Sequence, residues 1–309
     1  MNIDLNVSRN FETAKVVAIL IVACGHFLPP SPFWVVVSVA LCLFSFASGY
    51  FTALIYGEKP DPLRFVRNKL IRLGPGLLVI NLILLALFVV EGKDNIFVWQ
   101  SLLGVLGLSG WLNWLHLPNP SPFGAGLWYF TLLLLFYVSY PLLARLLSRG
   151  LPGIVATFSL LIAALWLSEH IPYGHMLWLT AFCFCFGVAF ANQQWKAGTK
   201  NTLQLGGGLI LAFLLTRAFV TLPFSTLVVA FSALVVIQLL LTLRLPDGLH
   251  QIFKPLGACV LEIYFFHTYL FVHPTGSIAL DLTLSLTIIL AVSLAAEKIA
   301  GKLQPGKSS

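Results

Sequence analysis

Lys15 and His26 interrupt the first long apolar run of the chain, and their types and spacing could do chemistry. They are eleven residues apart, so on one helix both side chains point to the same side, roughly 16 Å apart along the axis. Polar side chains aligned in this way inside a membrane must face protein or water. An unperturbed imidazole titrates near neutral pH, the range that suits a general base. Alternatively, His26 is a hydrogen-bonded structural group at a helix end.

A group of four cations precedes the third apolar stretch: Arg64, Arg67, Lys69 and Arg72. Lys69 and Arg72 are three residues apart, so on a helix they share a face, and such a pair can bind a phosphate group. The alternative is that these cations only fix the topology of the chain and contact anionic lipid headgroups. The spacing alone leaves both interpretations open.

Glu262 and Arg217 are two further ionisable side chains within apolar stretches. A charge at membrane depth is costly unless it is paired, and it usually faces a cavity. Glu262 can pair with Arg217 or with Lys15, and such a pair either lines a polar cavity or only fixes helix packing. His267 lies near the outer end of the same stretch as Glu262 and is a further candidate for a polar core.

Several chemistries are excluded because their motifs are missing from the sequence. The chain has no Ser-His-Asp set with a nucleophile elbow, no Walker loop and no zinc-type helix motif. Its five cysteines lie inside apolar runs, so they are interpreted as small core residues, and no metal site is expected. The net charge of +7 is explained by cytoplasmic loops rich in Lys and Arg, not by binding to nucleic acid.

The elements that must position the candidate residues are membrane helices. Of the 309 residues, 59% are hydrophobic and 9% are charged, whereas soluble domains carry roughly 25% charged residues. No polar stretch is long enough for a soluble domain, and nothing resembles a cleavable signal. The sequence therefore predicts an all-α, polytopic membrane helix bundle that forms one domain over residues 1–309.

Ten apolar stretches are long enough to cross a bilayer. They lie near 12–28, 33–56, 73–90, 126–147, 152–168, 174–192, 203–221, 224–243, 255–272 and 276–297. A further run, 96–115, contains three glycines and is followed by prolines. We therefore expect segment 96–125 to lie on the outer face or to dip into it, and tryptophans such as Trp99 and Trp128 suit that interface.

The distribution of cations decides how the chain is threaded through the membrane. If both termini are cytoplasmic and segment 96–125 does not cross, only Lys93 and Arg217 of the eighteen lysines and arginines lie away from cytoplasmic ends. If the segment crossed, Arg145 and Arg149 would move outside. The excess of cations on cytoplasmic loops therefore favours ten spans with both termini inside.

Five short motifs, in order along the chain, resemble those of the acyltransferase-3 family of integral membrane acyltransferases. They are the spacing of Lys15 and His26, the stretch 44–51 with Ser48-Gly49, the basic pair of Lys69 and Arg72 before Pro75, the stretch 127–143 that begins Leu-Trp-Tyr-Phe and ends Pro-Leu-Leu, and the stretch 260–267 that ends in His267. The resemblance covers most of the chain, and without a fused soluble domain it is to the stand-alone members, which modify surface polysaccharides.

The resemblance implies an acyltransferase of the class that moves groups other than aminoacyl groups, in the bacterial inner membrane. Its donor would be cytoplasmic acetyl-CoA or another acyl-CoA, and its acceptor a sugar hydroxyl of a polysaccharide or a lipid-linked precursor. No permanently bound cofactor is implied; the other partners would be membrane lipid and polysaccharide assembly proteins.

The same resemblance assigns roles to the candidate residues. His26 would be the general base, and Lys15 would line the donor path or orient a carbonyl. Cations of the third motif and its neighbourhood would hold the phosphates of CoA: Arg67, Lys69 and Arg72. The candidates for substrate binding or a polar core are Glu262, Arg217, Trp128 and His267.

Three positions depart from the family pattern: Lys15 and Lys69 replace arginines, and Val260 replaces a serine. A lysine keeps the charge of an arginine but lacks its planar fork of donors. The departure at Lys15 keeps open a non-catalytic assembly partner. Ten spans, a polar midplane and cationic ends would also serve a carrier or flippase for a lipid-linked sugar. Against a carrier, the chain has no inverted repeat and no pair of broken helices.

Overall fold

The computed structural model describes residues 4–28, 33–124, 127–171, 176–218 and 224–304. These residues form thirteen α-helices and no β-strand, so the predicted all-α fold is confirmed. In chain order the helices are α1 Leu5–Phe27, α2 Phe33–Tyr56, α3 Pro62–Val90, α4 Trp99–Val105, α5 Gly110–Trp114, α6 Trp128–Leu146, α7 Leu151–His170, α8 Leu177–Asn192, α9 Thr199–Ala218, α10 Phe224–Thr242, α11 Asp247–Gly257, α12 Val260–Phe266 and α13 Ile278–Leu303.

Six of the described helices are long and apolar enough to cross a membrane: α1, α2, α3, α6, α7 and α13. The pair Thr226–Thr242 and Asp247–Gly257 passes the same test only when its two parts are taken together, and it is bent by 112°. Helix α8 is apolar but has only 16 residues. The chain is thus a multi-pass helical protein, and the count of ten spans stays a prediction.

Helix α3 begins eleven residues earlier than the predicted third span, 73–90, because its start carries strong local signals. The Asp61 carboxylate accepts hydrogen bonds from the backbone N–H groups of Leu63 and Arg64, and Pro62 occupies the first turn. Pro75 lies inside the helix, where membrane helices tolerate proline. The four cations that precede the predicted span therefore lie on the first three turns of α3: Arg64, Arg67, Lys69 and Arg72.

The predicted ninth span, 255–272, is wrong as one continuous helix. Helix α11 ends at Gly257, α12 covers only Val260–Phe266, and the chain leaves helical structure before α13. Pro255, which lies inside α11, removes a backbone donor, and Gly257 lowers helix propensity. Hydropathy does not register either effect, which explains the error.

The described part of segment 96–125, residues 96–124, folds back on itself, and its position at the outer face stays a prediction. Helices α4 and α5 have 7 and 5 residues, so they rise only about 10 and 8 Å, a third of a hydrocarbon core or less. Ser109 Oγ donates to the Gly124 carbonyl at 2.9 Å, and Thr131 Oγ1 donates to the Gly107 carbonyl at 2.8 Å. These bonds join the segment to its own end and to the start of α6.

The chain divides into two compact units, each built from two stretches of sequence. The first unit comprises Met1–Pro60 and Tyr140–Gly257, and the second comprises Asp61–Ser139 and Ala258–Ser309. In the first unit α2 packs against α8, and the two backbones nearly touch: a Cβ on Gly49 would overlap the Phe184 carbonyl, and one on Gly187 would overlap the Phe46 carbonyl. Gly49 and Gly187 thus permit close approach of the two helices.

The five cysteines are all free thiols. Four of them are buried and only Cys24 is partly exposed, which confirms their interpretation as core residues. Cys42 on α2 and Cys183 on α8 contact each other in the first unit.

In the second unit, the start of α13 holds the preceding loop through side-chain hydrogen bonds. The buried Asp281 carboxylate accepts from the backbone N–H and the hydroxyl of Thr275, at 2.9 and 2.8 Å, and from the Gly276 N–H at 3.1 Å. One turn further on, Ser285 Oγ contacts both the N–H and the carbonyl of Val272. These bonds pair backbone groups of the loop that have no partner in a helix.

Candidate functional site

Lys15 and His26 lie on α1, in the first unit, and both side chains are half-buried. Helix α1 is continuous from one to the other, as the apolar run predicts. The His26 ring meets the Trp34 ring of α2 edge to face, with centroids 5.3 Å apart. Gly25 packs directly on Val37, so α1 and α2 are in close contact beside His26. His26 of α1 thus packs against α2 and is neither fully buried nor fully exposed.

Lys69 lies in an aromatic cage in the second unit. Its ammonium nitrogen is 4.4 Å from the Tyr137 ring centroid and 5.3 Å from the Phe65 ring centroid. The two rings stand nearly perpendicular to each other, and all three side chains are buried. Phe65 is four residues before Lys69 on α3, whereas Tyr137 comes from α6. Such contacts stabilise a desolvated cation by roughly 2 kcal/mol.

Arg67 and Arg72 differ from Lys69 because their side chains are exposed. The three-residue spacing of Lys69 and Arg72 therefore does not give two equally accessible cations. Instead, one buried ammonium is flanked along α3 by exposed guanidinium groups. An extended anion with several phosphates can engage the guanidinium groups bidentately, while the ammonium is already in a low-dielectric environment.

Glu262 is a buried carboxyl group on α12, with only 4% of its surface exposed. Its Oε1 lies 3.4 Å from the position that a Cβ on Gly76 of α3 would occupy, so the glycine makes room for the carboxyl group. Among the described residues, Glu262 Oε2 and Ser293 Oγ of α13 are buried without a hydrogen-bond partner. Buried polar atoms of this kind are rare and mark a place where a ligand or water supplies the missing bond.

His267 and Trp128 belong to an aromatic group in the same unit. His267 is fully buried, and its Nδ1–H donates to the Tyr264 carbonyl at 2.6 Å, since a carbonyl can only accept. This bond leaves Nε2 of a neutral ring as the acceptor. Tyr264 contacts Tyr129, and Tyr129 contacts the half-buried Trp128 at the start of α6, each pair with ring centroids 6.0 Å apart.

The candidate residues thus fall into two groups, one in each unit. The first unit contains Lys15 and His26, and the second contains the cations of α3 with Glu262, Trp128 and His267. The backbone of Arg217 lies in α9, but its side chain is outside the described residues. The pairing of Glu262 with Arg217 or Lys15 therefore stays a prediction.

Sequence reasoning missed the cage of Lys69 and the contact between α1 and α11. Phe65 could have been found from its four-residue spacing to Lys69, but nothing in the sequence links Tyr137 to either residue. His250 falls between the predicted spans 224–243 and 255–272, where hydropathy predicts no helix. It lies on α11, and its Nδ1 is 3.3 Å from Thr13 Oγ1 of α1.

A comparison with protein-family models matches residues 9–296 to the acyltransferase-3 family, whose model describes an acyltransferase domain. The match includes all the candidate residues from Lys15 to His267. No curated protein matches the chain significantly, and neither does any solved structure.

Proposed function

The chain belongs to the acyltransferase-3 family of membrane acyltransferases, and from this premise we propose that it is an O-acyltransferase of surface polysaccharides. The donor is cytoplasmic acyl-CoA, in the simplest case acetyl-CoA. The acceptor is a sugar hydroxyl of a surface or exported polysaccharide, or of its lipid-linked precursor. The protein acts in the bacterial inner membrane beside polysaccharide assembly proteins.

The cations of α3 bind the donor in this proposal. Arg67 and Arg72 are exposed and can engage the phosphate groups of CoA through bidentate hydrogen bonds. Lys69 contributes a positive charge from its buried aromatic cage. An ammonium without bulk water interacts with an anion more strongly than an exposed one does.

His26 acts as the general base. The acceptor oxygen forms a bond to the thioester carbonyl carbon while its proton passes to the imidazole. The tetrahedral intermediate then breaks its C–S bond, and the leaving thiolate of CoA takes the proton from the imidazolium. Lys15, on the same helix, lines the donor path or orients the carbonyl. The Oε2 atom of Glu262, which is buried without a hydrogen-bond partner, accepts a hydrogen bond from a substrate group.

The observation that carries the proposal is the family match over residues 9–296, which includes a half-buried histidine on α1. The matching experiment replaces that histidine. Membranes containing the His26→Ala protein are given radiolabelled acetyl-CoA, and label in polysaccharide and in lipid-linked sugar is counted. We expect a loss of about 10²- to 10⁴-fold in initial rate, because a positioned base contributes that much.

His170→Gln is the matched control, since His170 is an exposed histidine at the end of α7. We expect it to keep the rate of the unchanged protein. Full transfer by His26→Ala at normal membrane levels would refute the base assignment. If the unchanged protein consumed no thioester in the presence of its acceptor, it would be a carrier or an assembly partner instead.

A further inference from the structure

Helix α11, Asp247–Gly257, has one apolar and one polar face. Ile252 and Phe253 each lie three or four residues from both Leu249 and Leu256, so the four side chains form a single stripe along the helix. No residue of α11 is buried, and Ile252 is 69% exposed. The opposite face carries polar side chains, among them that of His250. We propose that α11 lies in the headgroup layer of the membrane and, with Arg9 and Arg244, binds anionic phospholipid.

The orientation of α11 fits a membrane surface. It follows the apolar helix α10 after a four-residue connection, and the two axes differ by 112°. When α10 crosses the bilayer, a helix at such an angle to it runs roughly along the membrane plane. Amphipathic helices in this position bury their apolar face at the boundary between headgroups and acyl chains.

The bend is fixed by Asn10 of α1, in the same unit. Its side-chain amide donates to the carbonyls of Leu240 and Leu243 at 2.8 and 2.6 Å, and its Oδ1 accepts from the Leu245 N–H at 3.4 Å. These carbonyls belong to the last turn of α10 and the residue after it, where intrahelical donors run out. Since the Thr13 side chain also contacts His250, α1 holds both the bend and the polar face of α11.

Helix α11 thus contacts α1 through His250, and Phe253 and Leu256 of the apolar stripe are half-buried. Leu249 and Ile252 of the same stripe are exposed. In a membrane protein the surroundings of exposed apolar side chains beside the end of a membrane helix are lipid. Aqueous solvent is disfavoured, because Leu249 and Ile252 would expose a contiguous apolar surface to water.

Two guanidinium groups at the start of α11 supply the charge that anionic lipid requires. Arg9 Nη1 lies 3.5 Å and Arg244 Nη2 lies 3.9 Å from the Asp247 carboxylate, and both arginine side chains are more than half exposed. Each contacts Asp247 through one nitrogen, whereas a guanidinium has five donors. Both arginines line a small pocket that also includes Asn6 and Thr13.

A soluble anion is the competing ligand for this pocket, and the donor CoA is the obvious one. The exposed Leu249 and Ile252 favour lipid, since a phospholipid can contact both the cations at the start of α11 and nearby apolar side chains, whereas a soluble anion uses only the cations. The proposal does not depend on the acyl-transfer reaction, because binding is measured without substrate.

The test compares the full-length protein with an Arg9→Gln/Arg244→Gln double variant in detergent. Native mass spectrometry follows the titration with phosphatidylglycerol or phosphatidylcholine. The double variant should bind phosphatidylglycerol about 30-fold more weakly, because each cation near an anionic surface contributes about fivefold. Binding of phosphatidylcholine should be unchanged, and the exposed ion pairs that are lost should hardly affect the melting temperature.

Lys196→Gln/Lys200→Gln is the matched control, because it removes two exposed cations, one from the connection between α8 and α9 and one from the first turn of α9. It should keep the affinity for phosphatidylglycerol. A second measurement is hydrogen exchange in nanodiscs, where the amides of α11 should exchange more slowly with phosphatidylglycerol present than with phosphatidylcholine alone.

Three results would overturn the proposal. One is equal loss of phosphatidylglycerol binding in both double variants, which would indicate that the lipid is attracted by the total charge of the protein and not by a specific site. Another is exchange in α11 that does not depend on the lipid. The third is displacement of phosphatidylglycerol by acetyl-CoA in the unchanged protein, which would assign the pocket to the donor.

Discussion

The ammonium of Lys69 lies against two aromatic rings, and this environment determines what the residue can contribute. Burial removes most of the water that would stabilise the charge. The faces of Tyr137 and Phe65 replace part of that stabilisation. In the proposed function, a phosphate group of the donor would supply the remaining stabilisation of the ammonium. The buried charge would therefore favour donor binding, and the bound donor would in turn stabilise the buried charge.

Tyr137→Leu tests this coupling at the scale of one contact. Loss of the nearer ring should raise the KM for acyl-CoA about tenfold, because the cation–π contact is worth on the order of 1–2 kcal/mol in a desolvated site. The value of kcat should change much less, since in the proposed function the contact acts on donor binding. The measurement is initial rate against acyl-CoA concentration in membranes with matched protein levels.

Tyr137→Phe is the control for that variant, because it keeps the ring and removes only the hydroxyl. Its KM should stay within roughly twofold of the unchanged protein. Equal KM values for the Leu and Phe variants would show that the ring does not act on Lys69.

Single residues were predictable where their own neighbourhood carried the signal. The spacing of Lys15 and His26 placed both on one helix, which the structure has as α1. The environment of Lys69 was not predictable, since Tyr137 is 68 residues away in sequence. The contact between His250 and Thr13 was not predictable for the same reason, since the two residues are 237 positions apart.

At the scale of helices, the closest approach is that of α2 to α8. Gly49 and Gly187 each face a backbone carbonyl of the other helix. Without side chains between them, the two backbones gain extensive van der Waals contact, which drives helix association in a membrane. The same geometry leaves no space for even one added carbon.

Gly49→Ala should therefore destabilise the protein. Its Cβ would overlap the Phe184 carbonyl, so the helices must separate, at a cost of about 1–3 kcal/mol. Thermal unfolding in detergent measures the effect. Gly206→Ala in α9 is the control, because nothing lies within 4 Å of its added Cβ; it should leave the melting temperature equal or slightly higher. A Gly49→Ala protein as stable as the control would contradict the close packing.

Helix boundaries were predictable where apolar character begins and ends with the helix. The predicted span 33–56 coincides with α2, Phe33–Tyr56. The start of α3 was missed because a charged stretch reads as a loop, although Asp61 and Pro62 carry the signal for a helix start. The ninth span was predicted wrongly because hydropathy takes no account of the backbone N–H that Pro255 lacks.

For the whole molecule, composition alone established a helical membrane protein, and the family followed from short motifs later matched over residues 9–296. The number of spans could not be fixed in this way. Helices such as α8 are too short to cross unaided, and cation counting assigns sides only to the stretches that are assumed to cross.

Topology is the prediction that belongs to this scale. Both termini and the connection between α2 and α3 should be cytoplasmic, whereas the connection after α3 should be external, because this arrangement leaves the fewest cations outside. A C-terminal green fluorescent protein should fluoresce, and a tag inserted after Gly92 should be accessible from outside intact spheroplasts. An external tag between α2 and α3 would reverse the arrangement.

The burial of the native thiols makes the chain convenient for chemical labelling. Four of the five cysteines are buried, and Cys24 is only partly exposed, so a Cys24→Ala protein should be nearly inert to a hydrophilic maleimide. Any cysteine then introduced at an exposed loop becomes the dominant reactive group. The folded protein thereby offers a nearly silent background for mapping sidedness, without rebuilding the tightly packed α2–α8 contact in which Cys42 and Cys183 meet.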